Sequence, residues 1–520
     1  MIWTALGRRG GGKTGGNVAA VKRPRPSERL RIPQPLIKSR LPSGRGAMEQ
    51  PNVTGDGDAT LTPFFWLLVV LTGIGTGLLG DFMMLILFNV QHLAYGYSLG
   101  SFSHVGSYER AVEHAPAIRR VVDLMVAGAF GGVAWYLLRR FTKGEKSELD
   151  DVVWHGGRLS FRRSLGTGII SEIVIALGAS IGREQAPKLL GGVMGSLLGE
   201  WARLSPAQKR LLVACGGGAG LASVYNVPLG GALFTAEVLL GNLTLPVVLP
   251  ALTCSVVATV TSYLYLPIRP TYVNIPQFPF GWPLFAWAFL AGPLIGLIAV
   301  GYIRLIGWVS HHAISGRWLM VSVFAAMTVL GLIGIKYPQL FGNGKDMAHG
   351  AFIGAAGFGI LLTLFALKPL VTSMCLGSGA SGGLFTPTMS TGAVLGGGLG
   401  ILWSMAWPGS PAGAYAMIGA AAMLGAGMQA PLASLALVVE LTYSGFQIII
   451  PMVIATVIAT VTARYLDGYS IYSARLRAHP LPAIGPSPGG GGEPQPNGQA
   501  GPDARQSQRG PDGPARDDRG

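Results

Sequence analysis

Two glycine-rich turns that end in proline carry the strongest chemical signal in this chain: GREQAP at Gly182–Pro187 and GGLFTP at Gly382–Pro387. Proline is tolerated in the first turn of a helix because the N–H that it lacks would be unpaired there. Each turn therefore predicts a helix N-terminus, whose free N–H groups and partial positive charge attract anions. Two such ends in one dry site would hold an anion without a fully charged side chain, and would also let it leave.

Glu184 lies inside the first of these turns. An ionised side chain at membrane depth costs about 2.5–3.5 kcal/mol on insertion scales, which makes it a functional candidate. Its carboxylate is itself an anion, so it could occupy the anion site when ionised and leave when protonated or displaced. Glu184 would then be a gate. The alternative is a salt bridge with the neighbouring Arg183 that only holds the loop.

The composition places these turns in a membrane protein. Of the 520 residues, 50% are hydrophobic, 12% are charged and 78 are glycine, whereas soluble proteins have about 25% charged residues and about 7% glycine. Several apolar runs are broken by Gly or Pro, which is allowed at membrane depth only inside protein or beside an aqueous path. We therefore expect an all-α polytopic membrane protein with many tilted and interrupted helices. The predicted runs are 64–90, 121–138, 164–181, 188–200, 211–240, 243–266, 283–308, 319–335, 351–375, 389–406, 412–440 and 446–463.

An internal repeat predicts two related halves. NVPLGGALFTAE (Asn226–Glu237) matches QAPLASLALVVE (Gln429–Glu440), with a glutamate nine residues after the proline in both. The repeated prolines lie 431 − 228 = 203 residues apart, and the prolines of the two turns lie 387 − 187 = 200 apart. Paired interrupted helices are typical of transport proteins whose substrate site lies between the repeats. The predicted transmembrane domain is 61–478, with halves at about 61–266 and 283–463.

The two ends of the chain differ from this domain. Residues 1–60 are expected to be a basic disordered arm, because 11 Lys and Arg and one acid fall within residues 1–47. Met48 is an alternative start. Residues 479–520 are rich in Pro and Gly and are expected to be a disordered tail. The arm has no interleaved aromatic residues, so we do not expect nucleic acid as a partner.

The cysteines and histidines show no spacing typical of a metal site. We therefore expect no metal or redox cofactor. A membrane-embedded enzyme or a sodium-coupled carrier is the competing hypothesis, but no His/Asp or Ser/Lys pairing falls at membrane depth in the sequence. We expect a protein that is not an enzyme.

Over roughly residues 61–478, the chain resembles the CLC family of chloride channels and chloride/proton exchangers. GREQAP resembles the family's GREGP or GKEGP signature, with Gln185 and Ala186 in place of one glycine. CLGSGASGGLFTP (Cys375–Pro387) resembles the signature that ends GxFxP. YPQLFGNGKD, APLASLALVVELT and GYSIYS follow in the family's order. With no regulatory domain (CBS domain) after residue 479, the chain resembles bacterial members.

The resemblance implies a homodimer in a lipid bilayer, with one chloride pathway per protomer formed from two inverted halves. It also implies a bacterial inner membrane, cytoplasmic termini and chloride as the transported ion, with no cofactor. Glu184 would be the gating residue. By this resemblance Leu384 and Phe385 would bind chloride through their backbone amides, and Tyr472 through its hydroxyl. The other residues assigned to chloride binding are Ser147, Gly182, Arg183 and Glu184.

The chloride-coordinating serine is where the chain departs most from the family. The family's GSGIP signature supplies this serine, but the corresponding stretch here is KGEKSELDD (Lys143–Asp151). Ser147 either coordinates chloride or caps a helix. The surrounding acids are unfavourable for an anion unless they face away. Because anion preference in the family is linked to this position, nitrate stays open as an alternative to chloride.

A second departure concerns the mechanism. Many exchangers of the family have paired glutamates after the PL motif, and the second passes protons to the cytoplasm. Here the pair is Glu237 and Val238, and valine cannot titrate. We therefore expect passive chloride conduction gated by Glu184, with chloride/proton antiport as the alternative. Glu237 and Glu440 are expected to be structural carboxylates that satisfy backbone donors.

Overall fold

The computed structural model describes residues 61–97, 108–144 and 148–476. Within them the chain forms seventeen α-helices and no β-strand, apart from one isolated β-bridge between Gly182 and Gly383. Ser147 lies outside the described residues, as do the predicted arm and tail. The ends of the predicted domain, at 61 and 478, stay predictions.

The helices are α1 (Pro63–Tyr95), α2 (Tyr108–His114), α3 (Ala117–Phe141), α4 (Leu149–His155), α5 (Phe161–Ala176), α6 (Gln185–Trp201), α7 (Pro206–Tyr225), α8 (Pro228–Leu233), α9 (Leu245–Ser262), α10 (Trp282–His311), α11 (Trp318–Lys336), α12 (Lys345–Phe352), α13 (Phe358–Gly377), α14 (Phe385–Ala406), α15 (Ala412–Met428), α16 (Pro431–Thr442) and α17 (Ile449–Leu466). A π-helical turn at Phe234–Leu239 continues α8. Single 3-10 turns occupy Pro338–Leu340, Phe446–Ile448 and Ser473–Arg475.

Eight helices in the described part of the chain are long and apolar enough to cross a membrane: α1, α3, α9, α10, α11, α13, α14 and α17 with the turn before it. The apolar helices α8, α15 and α16 are shorter, and a helix needs about 20 residues to span the hydrocarbon core. This mixture of full-length and short apolar helices confirms the predicted all-α polytopic membrane fold.

Two of the predicted apolar runs, 211–240 and 412–440, each divide into two helices. The break falls at Asn226 in the first run and at Gln429 in the second, and both residues are left-handed with φ 57°. A left-handed residue ends a helix, and a proline two residues later begins the next one in each case. The two breaks are therefore 429 − 226 = 203 residues apart and belong to the internal repeat.

The repeat extends beyond the two matched motifs. The order α5 to α9 in the first half recurs as α13 to α17 in the second. Equivalent helices also pack against each other, since α3 contacts α11 and α8 contacts α16. Two halves related by a two-fold axis bring a helix into contact with its equivalent in the other half.

Glu237 and Glu440 join the halves through reciprocal hydrogen bonds. The carboxylate of Glu440 accepts from two backbone amides in the first turn of α8, at 3.0 and 2.6 Å. The carboxylate of Glu237 accepts from two amides in the first turn of α16, at 3.3 and 2.7 Å. Each glutamate thus satisfies orphan donors at a helix end in the other half. This agrees with their expected structural role and explains why both copies of the repeat carry a glutamate.

We expect Glu237→Gln and Glu440→Gln each to lower the melting temperature of the purified protein in detergent. Glutamine has one side-chain acceptor oxygen and would turn an N–H group toward a second backbone donor. Hydrogen bonds to charged groups contribute about 1.5–3 kcal/mol each. Glu200→Gln is the control, because Glu200 is partly exposed and pairs with Arg158 and Lys209. Equal shifts for all three variants would contradict the helix-capping role.

Candidate functional site

The two glycine-rich turns meet at the centre of the protein. The amide of Gly182 donates to the carbonyl of Gly383, and the amide of Gly383 donates to the carbonyl of Gly182, both at 2.8 Å. Pro187 and Pro387 are each the third residue of the following helix, α6 or α14. The predicted helix N-termini therefore form and lie side by side, where their dipoles and free amides favour negative charge.

Glu184 precedes α6 and occupies this meeting point. Its side chain is buried, and Oε1 accepts a hydrogen bond of 2.7 Å from the backbone amide of Phe385. The hydroxyls of Tyr225 and Thr386 lie 3.4 Å from Oε2. Within the described residues Glu184 forms no ion pair with Arg183, whose guanidinium lies 5.0 Å from the centre of the Tyr225 ring. The carboxylate is thus held by neutral donors, and the salt-bridge alternative is not observed.

The glycines of the bridge leave room for this carboxylate. A Cβ atom on Gly182 would lie 2.1 Å from Oε1 of Glu184, and one on Gly383 would lie 2.2 Å from it. Both distances are well below van der Waals contact. The space that a side chain would fill at these two positions is taken by the Glu184 carboxylate.

Two cavities lie near Glu184. A small cavity of about 40 Å³ is lined by Glu184 itself. A large cavity of about 850 Å³ is lined by Arg183 and by Tyr225, whose hydroxyl faces Glu184. Glu184 therefore lines the small cavity and contacts Tyr225, a lining residue of the large one. The remaining lining residues of the small cavity are Glu148, Leu149, Asp150, Gln185, Lys188, Leu189, Gly383, Leu384, Tyr472, Arg475 and Leu476.

The structure brings most of the sequence-predicted site residues together. Leu384 is fully buried and lines the small cavity beside Tyr472. The Tyr472 ring packs edge to face on Phe234, with centroids 5.8 Å apart, and its hydroxyl lies 4.0 Å from the sulfur of Met428. Phe385 provides the amide that holds Glu184. The roles of these residues as chloride ligands stay predictions.

The acids around Ser147 divide between two environments. Glu148 and Asp150 line the small cavity, although the sequence analysis expected such acids to be unfavourable there. Asp151 instead lies 3.0 Å from the Nδ1 atom of His155. The negative charge at the cavity is offset by Lys188 and Arg475, which also line it. The Nζ atom of Lys188 lies 3.3 Å from Oδ2 of Asp150.

Lys188 is a functional candidate that the sequence analysis missed. It opens the predicted apolar run 188–200, and the insertion cost that singled out Glu184 applies equally to a lysine. The expectation of a site without a fully charged side chain is therefore wrong. A lysine is present in this site, but it is paired with a carboxylate.

Two further buried charges were also missed. Lys368 on α13 is fully buried, and its Nζ atom donates to the hydroxyl of Ser180 at 2.7 Å and to the carbonyl of Gly342 at 3.0 Å. It thereby ties the loop before Gly182 to a neighbouring loop. Glu172 on α5 is fully buried, and neither of its carboxylate oxygens has a hydrogen-bond partner among the described residues. The helical domain thus contains buried charged side chains outside the two glycine-rich turns.

The comparisons with known proteins decide the family. The model of the voltage-gated chloride channel family matches residues 129–464. The chain belongs to this family. A protein of Ralstonia nicotianae named putative chloride channel protein ClcB-like is 33% identical over 352 residues, which is 64% of this chain and 79% of that protein. The H(+)/Cl(−) exchange transporter ClcA of Yersinia pestis is 29% identical over 335 residues, which is 62% of this chain and 68% of that protein.

A solved structure shares the fold of this family member. The slow cyanobacterial Cl−/H+ antiporter superposes with a TM-score of 0.69 and 22% identity, over 79% of this chain and 97% of that one. The likeness supports the predicted all-α membrane fold.

The prediction of a passive chloride channel is wrong. It depended on Val238, whereas a relative of the chain, from Yersinia pestis, is named an exchange transporter. The physical reason is that one non-titrating position does not remove every proton acceptor. Asp150 lines the small cavity with Glu184, and Glu172 is a further buried carboxylate.

The large cavity contains two groups, both outside the spanning helices, whose charge changes near neutral pH. Burial lowers the pKa of Lys345 to about 8. Burial, with the nearby charges of Asp346 and Glu113, raises the pKa of Glu109 to about 7. Lys345 is cationic below about pH 8, and Glu109 is neutral below about pH 7. Both changes make the large cavity more positive as pH falls.

We therefore expect the KM for chloride entering from the large-cavity side to fall several-fold as the pH on that side drops from about 9 to about 6, because the added positive charge attracts anions. The measurement is chloride flux into oriented vesicles in a Glu184→Gln background, which removes titration of the gate itself. A Lys345→Arg/Glu109→Gln double variant should flatten the dependence. A profile unchanged by these two substitutions would exclude this origin.

We expect Gly383→Ala to push the Glu184 carboxylate away from the Phe385 amide, because the new Cβ atom and Oε1 cannot both occupy the same space. A structure of the variant should show the 2.7 Å bond broken, and the chloride flux should change. Gly359→Ala is the matched control, because a Cβ atom there meets nothing within 4 Å. A carboxylate that stays in place in Gly383→Ala would refute this account of the glycine.

Proposed function

We propose that this protein is a chloride/proton antiporter in which Glu184 is both the gate and the proton-carrying group. The observation that carries the proposal is the bond between the Glu184 carboxylate and the Phe385 amide, beside the small cavity that Glu184 lines. The name of the Yersinia pestis relative, an exchange transporter, supports antiport over conduction.

Exchange follows from competition for the same donors. When ionised, Glu184 fills the position at the N-terminus of α14 where an anion would bind. Chloride bound to the amides of Leu384 and Phe385 displaces the carboxylate from its donor. A buried carboxylate without donors is costly and is relieved by taking up a proton. Chloride entry and protonation of Glu184 are thereby linked, as exchange requires.

The chloride pathway of this proposal runs past the two helix N-termini. Leu384 and Phe385 contribute backbone amides, and Tyr472 contributes its hydroxyl beside the small cavity. Gly182 and Arg183 belong to the same turn as the gate. We assign Ser147 no position in this pathway, because it lies outside the described residues.

The setting of this activity is proposed from the family resemblance. The protein acts as a homodimer with one pathway per protomer, in a bacterial inner membrane, with both termini in the cytoplasm. It is not an enzyme and uses no cofactor beyond the transported chloride. A native mass of twice the chain mass in detergent would support the homodimer, whereas a single-chain mass would count against it.

We expect Glu184→Gln to abolish proton movement while chloride still crosses the membrane. Glutamine keeps the size of the side chain but cannot carry a proton through a charge cycle. The measurement is simultaneous recording of chloride efflux and proton uptake in liposomes that contain the purified protein. Glu200→Gln, at the far end of the same helix and away from both cavities, is the control and should retain coupling.

Two results would contradict the proposal. One is a full-length protein that moves chloride without protons, and the other is proton uptake that persists in Glu184→Gln at the original ratio to chloride. In either case Glu184 would not be the coupling group.

A further inference from the structure

Lys188 is a buried cation placed one helical turn after the gate. It lies on α6, where its amide bonds to the carbonyl of Glu184 at 3.2 Å. Only 7% of the residue is exposed. Its Nζ atom lies 4.5 Å from the centre of the Tyr472 ring and 5.6 Å from that of Phe234. The cation is therefore enclosed by aromatic faces as well as by protein backbone.

Asp150, the ionic partner of Lys188, uses only one of its two carboxylate oxygens in this pair. Asp150 accepts from Lys188 through Oδ2 at 3.3 Å, whereas its Oδ1 atom is buried without a hydrogen-bond partner among the described residues. A buried carboxylate oxygen without a partner is costly. The pair is accordingly weaker than a fully hydrogen-bonded buried ion pair. Asp150 lies in the second residue of α4, a helix of only seven residues, so little structure holds it against Lys188.

The ion pair lines the same cavity as the gating candidate. Lys188 and Asp150 both line the small cavity, together with Glu184, Leu384 and Tyr472. Its volume of about 40 Å³ exceeds the roughly 10–15 Å³ that one water molecule needs, so the cavity has room for a water molecule or a small anion. An anion that enters this space comes within reach of the Lys188 ammonium group.

The charges explain why a lysine is compatible with turnover. An isolated ammonium group in a low-dielectric cavity would hold chloride too firmly to release it. Asp150 supplies a competing negative charge a few ångströms away, so the net charge of the pair is near zero. Chloride and the Asp150 carboxylate carry the same sign of charge, so they repel each other and compete for contact with the Lys188 ammonium group.

We propose that the Lys188–Asp150 pair is an ionic switch on the chloride pathway: chloride enters the small cavity by replacing Asp150 as the partner of Lys188, and the return of Asp150 expels it. This inference rests on the proposed function, since it takes chloride as the transported anion. In this proposal chloride replaces a carboxylate at two places: at the Phe385 amide, where it displaces Glu184, and at Lys188, one turn along α6, where it displaces Asp150. Asp150 thereby sets both the affinity and the release rate.

The test uses purified full-length protein with the variants Asp150→Asn and Lys188→Met and the double variant. Chloride binding is measured by titration calorimetry, and chloride flux is measured in liposomes. Asp150→Asn should lower the Kd for chloride about tenfold and slow the flux, because the competitor is gone while the cation stays. Lys188→Met should raise the Kd. In the double variant, removing Asp150 should no longer tighten binding, because the cation that it competes for is absent.

Lys209→Met is the matched control. Lys209 also forms an ion pair, with Glu200 at 2.8 Å, but lines neither cavity. Its substitution should leave the Kd for chloride unchanged. Melting temperatures of all variants separate loss of folding from loss of binding. Because Asp150→Asn is expected to gain affinity, an unfolded protein could not imitate the expected result.

The outcomes distinguish this inference from the proposed function. The switch is overturned if Asp150→Asn leaves the Kd for chloride unchanged or raises it. It is also overturned if that substitution has the same effect with and without Lys188. Either result would show that the pair only holds α4 against α6. Failure of proton coupling with the expected change in Kd overturns the antiport proposal and leaves the switch intact. A full-length protein that binds no chloride overturns both.

Discussion

The constraint on which this structure depends is that backbone polar groups at membrane depth must find partners inside the protein. Each half of the chain interrupts its helices, and each interruption exposes amides. The halves satisfy one another: Gly182 and Gly383 exchange two hydrogen bonds, and Glu237 and Glu440 each cap a short helix of the opposite half. Because of these reciprocal bonds, helix ends can stay at the centre of the protein, where an anion can use them.

The site that results is nearly neutral although it contains several ionised groups. The Glu184 carboxylate is held by a backbone amide rather than by a cation, and the cation nearby, Lys188, has its own carboxylate partner in Asp150. An anion meets partial charges and paired charges, and both kinds of group can exchange partners. This balance is suited to transport, which requires that an ion be bound and then released.

The mechanism shows the limit of arguing from single positions. Val238 cannot titrate, yet this does not settle how protons move, because other carboxylates lie near the gate. Glu172 is fully buried without a hydrogen-bond partner in the described part of the chain. Because Glu172 lies in an apolar run, the cost of burying its charge makes it a functional candidate, as it does for Glu184. Glu172 lies outside any recognised motif. Lys188 was overlooked for the same reason, since it begins a run that is otherwise apolar.

The sequence by itself determined the local features: where helices start and stop, the repeat at an offset of about 200 residues, and the gating candidate. These features can be read from the sequence because Pro and Gly act through short-range sterics, and a buried charge acts through its own desolvation. Only the tertiary structure decided which distant groups meet. The amide that holds Glu184 lies 201 residues away, and the carboxylate that pairs with Lys188 lies 38 residues away. Burial makes a polar group require a partner, but it does not say which one, since that choice depends on how all the helices pack.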